Sequence, residues 1–137
     1  MIFNLKDKAM NNYISWVHND ILNRIADTGW VSLELLNGVQ LFTEGYNLQI
    51  RRIGNAVYMR GRVTNLTVKP TTIAILPQQF RPRDGYSFRF VVPSNGGTNA
   101  VFVINPESGT VVLDNTSDGE VPAARWFSFN NVSYVTD

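Results

Sequence analysis

Apolar residues near the start of the chain recur at spacings of three and four, and after Gly29 the period changes to alternation. Met10, Ile14, Val17, Ile21 and Ile25 line one face of a helix predicted over about 10–25, and the opposite face is polar. On a heptad, Ile14 and Ile21 take position a and Met10 and Val17 position d, until the register breaks at Arg24. Two heptads associate weakly alone, so this seam needs a larger assembly at its end. Asp27-Thr28-Gly29 then stops the helix, because Asp and Thr prefer turns to helix interiors and Gly tolerates a left-handed backbone.

Strand-like segments rich in β-branched and aromatic residues follow at about 30–35, 48–53, 56–63, 72–76, 86–92, 100–104, 110–113 and 126–134. Gly54-Asn55 reads as the centre of a two-residue hairpin, and Asn37-Gly38, Ser94-Asn95-Gly96-Gly97 and Ser108-Gly109 punctuate similarly. One leading helix followed by many short strands predicts a mainly β protein: an antiparallel sandwich or jelly-roll head behind a short N-terminal helix. Residues 1–27 are assigned to a helical neck, whose β-branched seam suits two or three strands, and 28–137 to the β-sandwich.

The 137 residues, 44% hydrophobic, suit a single core. A formal charge of +1 provides no long-range field for nucleic acid or an anionic membrane, so a partner must be recognised by local contacts. Without cysteine there are no disulfides or thiolate sites. Charge interrupts the first eight residues before a signal peptide forms, and no stretch reaches membrane-spanning length, so a soluble protein is expected.

Four motifs, in order, carry a family resemblance. They are Thr28-Gly29-Trp30-Val31-Ser32-Leu33, the run from Ile50 through Arg51-Arg52-Ile53-Gly54-Asn55 to Gly61, Ile73-Ala74-Ile75-Leu76-Pro77-Gln78-Gln79-Phe80-Arg81-Pro82, and Trp126-Phe127-Ser128-Phe129-Asn130-Asn131-Val132-Ser133-Tyr134. Over about residues 28–137 this order resembles the C-terminal head domains of bacteriophage tail fibres and receptor-binding or baseplate proteins, especially from phages of Gram-positive bacteria. The resemblance implies a homotrimeric β-sandwich head on the distal tail of a virion, binding a bacterial cell-surface saccharide such as teichoic acid or another polysaccharide. It also implies a piece of a longer tail protein that contacts other tail or baseplate proteins. The motifs themselves read as a hairpin, a turn and core strands, and leave the ligand undefined.

Catalytic chemistry finds little support. His18 is the only imidazole and lies in the helix, away from any loop cluster, so Ser-His or Cys-His arrangements are not available to the β region. Asp114 through Glu120 is acidic and Gly-bearing but lacks the ligand alternation of a calcium loop, and reads as a solvated loop. No cofactor or metal site is expected. Aromatic residues make up 12% of the chain; Trp30, Phe88, Phe90, Phe102, Trp126, Phe127 and Phe129 lie in predicted strands and are assigned to the core, with Phe80 plugging it below the Pro77–Pro82 turn. Arg51, Arg52, Arg60 and Arg62 sit on one hairpin as a basic stripe, either a solvated or interprotomer face or a strip for an anionic polymer.

Strand parity sends loops 36–47, 64–71, 93–99 and 114–125 to the end far from the helix, and 54–55, 77–85 and 105–109 to the near end. The candidate saccharide residues are therefore Phe42, Glu44, Tyr46, Asn95, Asn99, Asp114, Asp118 and Arg125, with Asn65 and Lys69 beside them. Met10, Ile14, Val17, Ile21 and Ile25 are the trimer-interface candidates. The leading reading is non-enzymatic adhesion. A purely structural capping and trimerisation domain is the alternative, and a glycan depolymerase is the second.

Overall fold

The computed structural model describes residues 5–45, 47–83 and 85–136 and, within the helix, the side chains of residues 8–19 and 21. The helix α1 spans Leu5–Ile25, earlier in its start than the periodicity predicts. Eleven strands follow among the described residues: β1 Val31–Ser32, β2 Gln40–Leu41, β3 Gln49–Ile53, β4 Ala56–Arg60, β5 Arg62–Thr64, β6 Thr71–Ile75, β7 Phe88–Pro93, β8 Asn99–Ile104, β9 Thr110–Thr116, β10 Phe127–Ser128 and β11 Ser133–Val135.

Every pairing is antiparallel, in the orders β1-β3-β4-β11, β10-β5-β2 and β6-β9-β8-β7. The first two sheets are one layer bent at Gly61. The chain returning through β2 and β3 pairs first with β5 and then with β4, and the run through β10 and β11 does the same on the other side. The predicted continuous strand 56–63 is thus broken at Gly61, and the predicted 126–134 is broken between β10 and β11. At Gly61 (φ +115) a Cβ would stand 2.2 Å from the Asn47 carbonyl oxygen, so only glycine lets these backbones approach. The second layer joins the first through a bridge from Ser94 to Phe127 and a bond from Leu36 N–H to the Ile73 carbonyl (2.9 Å).

The core lies between the layers. Phe102 meets Phe129 and Phe127 edge-on at 4.9 and 5.8 Å, and Phe90 flanks them at about 6 Å, favourable separations for aromatic pairs. Phe80 is buried as expected, and its carbonyl accepts the Tyr134 hydroxyl at 2.6 Å. Burial without a charge partner pushes the Tyr134 phenol well above its ordinary range. Trp30 and Trp126 depart from the core assignment: both are half-buried on the outward side, beneath arginines.

The helix meets the sandwich along β3. Thr28 N–H donates to the Arg52 carbonyl (3.0 Å), Gly54 N–H to the Ala26 carbonyl (2.8 Å), and Asp27 bridges Ile53. Arg51 closes this joint as a two-pronged partner of Asp27, and the guanidinium holds that carboxyl down at about 2.

Candidate functional site

Because the strands pair antiparallel through both layers, the connections fall into two groups, and hydrogen bonds within each group show which loops meet. At the helix end, Arg52 donates to the Gly54 and Gln79 carbonyls (2.7 and 2.8 Å), Thr136 N–H to the Asn55 carbonyl (2.8 Å), and Arg81 to the Glu107 carbonyl (2.5 Å). At the opposite end, Asn65 donates to the Gly38 carbonyl (2.8 Å), and Lys69 to Asn115 and the Gly119 carbonyl (2.7 and 3.1 Å). There too Ser117 N–H donates to the Asn99 carbonyl (2.8 Å) and Trp126 N–H to the Asn95 carboxamide (3.0 Å). The expected grouping of loops 36–47, 64–71, 93–99 and 114–125 is therefore the grouping found, even though β2 was not foreseen. It survives because β2 and β3 run the same way on one returning stretch and add no reversal.

The far-end candidates have distinct settings. Phe42 is 40% exposed and tilts against Trp126 with ring centroids 6.3 Å apart, an amphipathic platform to which sequence reasoning contributed only one ring. Asn95 opens a 3-10 turn, Asn95–Gly97, and its side-chain oxygen is engaged by Trp126 N–H. Glu44 and Asn99 are exposed, and Asn99 N–H donates to Ser117 Oγ (3.0 Å). Tyr46 lies outside the described residues.

Asp118 and Arg125 form a two-pronged pair at 2.8 and 2.9 Å, and Glu120 N–H also donates to Asp118 (3.1 Å). The guanidinium and this amide hold the Asp118 carboxyl far below the ordinary carboxylate range. Much of their hydrogen-bonding capacity is thus spent on each other, and the pair latches the 114–125 loop. Asp114 belongs to β9, which runs three residues beyond the predicted strand to Thr116, and it pairs across the sheet with Arg89. It is a strand residue on the sheet's outer face, displaced from the loop to which the sequence assigned it.

Two hollows accompany these groups. A far-end cleft of about 370 Å³ lies among Asn37, Asn65, Thr67, Val68 and Thr72, and Asn37 there donates to the Thr72 carbonyl (2.8 Å). A larger flank groove of about 560 Å³ runs along the outward side of β3 and β4, between Trp30, Tyr58, Arg60 and the Asn130–Ser133 turn. Of the four arginines read as one stripe, Arg51 and Arg60 line this groove over Trp30, Arg62 lies instead over Trp126, and Arg52 is drawn to the helix-end turn. Nothing local in the sequence marked the groove, because its walls come from Trp30, the β3–β4 hairpin and residues 130–133.

On α1, Met10, Ile14 and Ile21 are each at least half exposed in the single chain and Val17 is half-buried, while the side chain of Ile25 lies outside the described residues. Tyr13 and Trp16, stacked at 6.5 Å, widen this exposed apolar surface beyond the heptad seam. His18 is exposed on the same helix. Among the described residues no three His, Asp or Glu side chains gather as a metal site.

No family model matches the sequence, and no curated relative matches it. Among solved structures, the chain is similar to the crystal structure of the receptor binding protein (gp15) of Listeria phage PSA. The TM-score is 0.66 at 14% identity, over 99% of this chain and 82% of that one, and the two share one fold.

Proposed function

We propose that this chain is a receptor-binding head that attaches a phage tail to its host's surface, and that it does so by binding a saccharide without cleaving it. The observation that carries this reading is the likeness of fold to a phage receptor binding protein across nearly the whole chain. The far-end loops support it: they are cross-tied, distant from the helix joint, and offer an exposed aromatic platform beside amides and hydroxyls, the chemistry sugar rings require. Phe42 and Trp126 supply the platform, Asn99, Asn65 and Glu44 the polar contacts, and the Asp118–Arg125 pair the rigid edge.

The exposed apolar side of α1 supports a homotrimer whose helices pack in parallel through Met10, Ile14, Val17 and Ile21. Three shallow sites would then act together, so that avidity offsets weak single-site affinity.

Adsorption of the purified protein to a panel of bacterial cells and their isolated walls tests the reading. One host wall should bind it, and Phe42→Ala or Asn99→Ala should weaken adsorption with little change in thermal unfolding. Each lost contact costs on the order of 1 kcal/mol at one site. Absence of adsorption to every wall would favour the structural capping role, and release of reducing sugar from a bound wall would revive a depolymerase.

A further inference from the structure

An asparagine side chain is most open to attack by the next backbone nitrogen when glycine follows it, because no Cβ stands in the way. Asn-Gly occurs twice in the chain, at Asn37-Gly38 and Asn95-Gly96. Both lie in far-end loops, both asparagines are exposed, and a Cβ on either glycine would meet nothing within 4 Å. Local sequence therefore ranks them as equals, and the fold separates them. Asn37 Nδ2 donates to the Thr72 carbonyl (2.8 Å), which ties the side chain to β6 and holds the nitrogen that would have to leave. At Asn95 the bond is to the other atom: Oδ1 accepts the Trp126 backbone N–H (3.0 Å). A donor at that oxygen stabilises the negative charge that develops there when Cγ is attacked. Among the described residues no hydrogen bond holds Asn95 Nδ2.

The two turns also differ in how firmly they are set. Asn95–Gly97 is a 3-10 turn with no buried residue, interrupted at Gly96 (φ 76, ψ 22) and followed by Gly97 at φ 74. Two successive glycines without an apolar anchor let the backbone swing toward the side chain. Asn37 instead lies between Leu36, whose N–H donates to the Ile73 carbonyl (2.9 Å), and buried Val39, whose N–H donates to the Leu36 carbonyl (3.2 Å). Its turn is pinned on both sides. At Asp118-Gly119 the same attack would require a neutral carboxyl, and the Arg125 guanidinium with the Glu120 N–H keeps Asp118 ionised.

We propose that Asn95 is a site of spontaneous deamidation that switches the far-end loops with age. The Gly96 nitrogen attacks Asn95 Cγ and forms a new C–N bond; the Cγ–Nδ2 bond breaks, and Nδ2 leaves as ammonia with the proton from the Gly96 nitrogen. Water then opens the cyclic imide. Opening at Cγ gives aspartate, and opening at the main-chain carbonyl gives isoaspartate, in which the backbone runs through Cβ and is lengthened. An aspartate still accepts the Trp126 N–H. An isoaspartate draws its carbonyl away from Thr98 Oγ1 (2.8 Å) and pulls on Ser94, whose bridge to Phe127 ties the two layers together. Either product also adds a negative charge beside the Phe42–Trp126 platform. The effect on adhesion rests on the far-end binding proposed above, whereas the bond chemistry does not.

The test stores the purified full chain at mildly alkaline pH and follows each asparagine by peptide mass mapping. Asn95 should convert severalfold faster than Asn37 and give both aspartate and isoaspartate. In urea, where the fold no longer separates them, the two should convert at similar rates. Equal rates in the folded protein, or faster conversion of Asn37, overturn the proposal. Asn95→Gln keeps an amide but closes a larger ring more slowly, so that variant should stay unmodified at position 95. Stored wild-type protein should lose adsorption to a host wall in step with isoaspartate at position 95, while stored Asn95→Gln should adsorb as it does when fresh. Undiminished adsorption by fully converted protein overturns the switch and leaves the receptor reading standing. Fresh protein that adsorbs to no wall removes the receptor reading instead. In that case a lowered thermal unfolding temperature of the converted chain shows the opened turn, and an unchanged one overturns the switch.

Discussion

Substituting Gly61 by alanine should be among the most damaging single-methyl changes in this protein. The added Cβ would lie 2.2 Å from the Asn47 carbonyl oxygen and 2.9 Å from the Leu48 Cα, at a φ of +115. The first distance is more than about 1 Å short of ordinary contact, so β4 and the stretch entering β3 must separate. Hydrogen bonds at the bend are then stretched: Gly61 N–H to Asn130 Oδ1 (2.8 Å), Phe129 N–H to the Gly61 carbonyl (2.9 Å) and Leu33 N–H to the Leu48 carbonyl (2.9 Å). Backbone strain of this kind costs on the order of 1–3 kcal/mol, and each weakened bond adds up to about 1 kcal/mol. The expected loss is about 3–5 kcal/mol, a large share of the stability of an ordinary domain. Gly38→Ala is the control, since Gly38 also has positive φ (+79) but nothing within 4 Å of the added Cβ, and should cost about 1 kcal/mol. Urea unfolding of both variants measures the difference. A Gly61→Ala variant within about 1 kcal/mol of Gly38→Ala would refute the reasoning, because the bend would then relax without loss.

Tyr134→Phe removes the hydroxyl that donates to the buried Phe80 carbonyl and should cost about 1–3 kcal/mol by thermal unfolding. Asp27 and Asp118 both have carboxyl pKa values lowered on folding, so their contribution is fully present above the ordinary value of 3.8 and is lost as pH falls through the folded values. Tm should therefore be insensitive to these pairs between about pH 5 and 8, and Asp27→Asn with Asp118→Asn should flatten the fall in Tm below about pH 4. Ile14→Asp with Ile21→Asp should lower the sedimentation coefficient while preserving the β signal in circular dichroism, and a wild-type protein that sediments as a monomer at micromolar concentration refutes the trimer.

Much of the architecture was legible because local signals agreed with tertiary packing. The Gly54-Asn55 turn sets the register that pairs Ile53 with Ala56, and alternation over 56–63 correctly separates buried Val57, Met59 and Val63 from outward Tyr58, Arg60 and Arg62. That same alternation concealed the bend. Side chains keep their parity through Gly61, and the break arises from the approach of Asn47, which is 14 positions earlier and invisible to a local window. β2 was missed for a related reason: a two-residue strand has almost no propensity signal, and its pairing with β5 exists only because the partner is bent. Asp114 and Asn115 favour turns, yet pairing of Asn115 with Val101 and of Thr116 with Ala100 carries β9 on past a bulge at Asp114.

The two tryptophans show where composition misled and parity would have served. An indole is most often core, but Trp126 alternates with buried Phe127, and Ser128 on its own side pairs opposite outward Arg62. Trp126 must therefore face outward, where an arginine from the next strand can cover it. Its exposure has a functional consequence, because its ring contacts Phe42 and completes the aromatic platform proposed at the far end. Replacing Trp126 by alanine should accordingly weaken adsorption to a host wall at least as much as Phe42→Ala does, and normal adsorption of a folded Trp126→Ala variant would refute the platform.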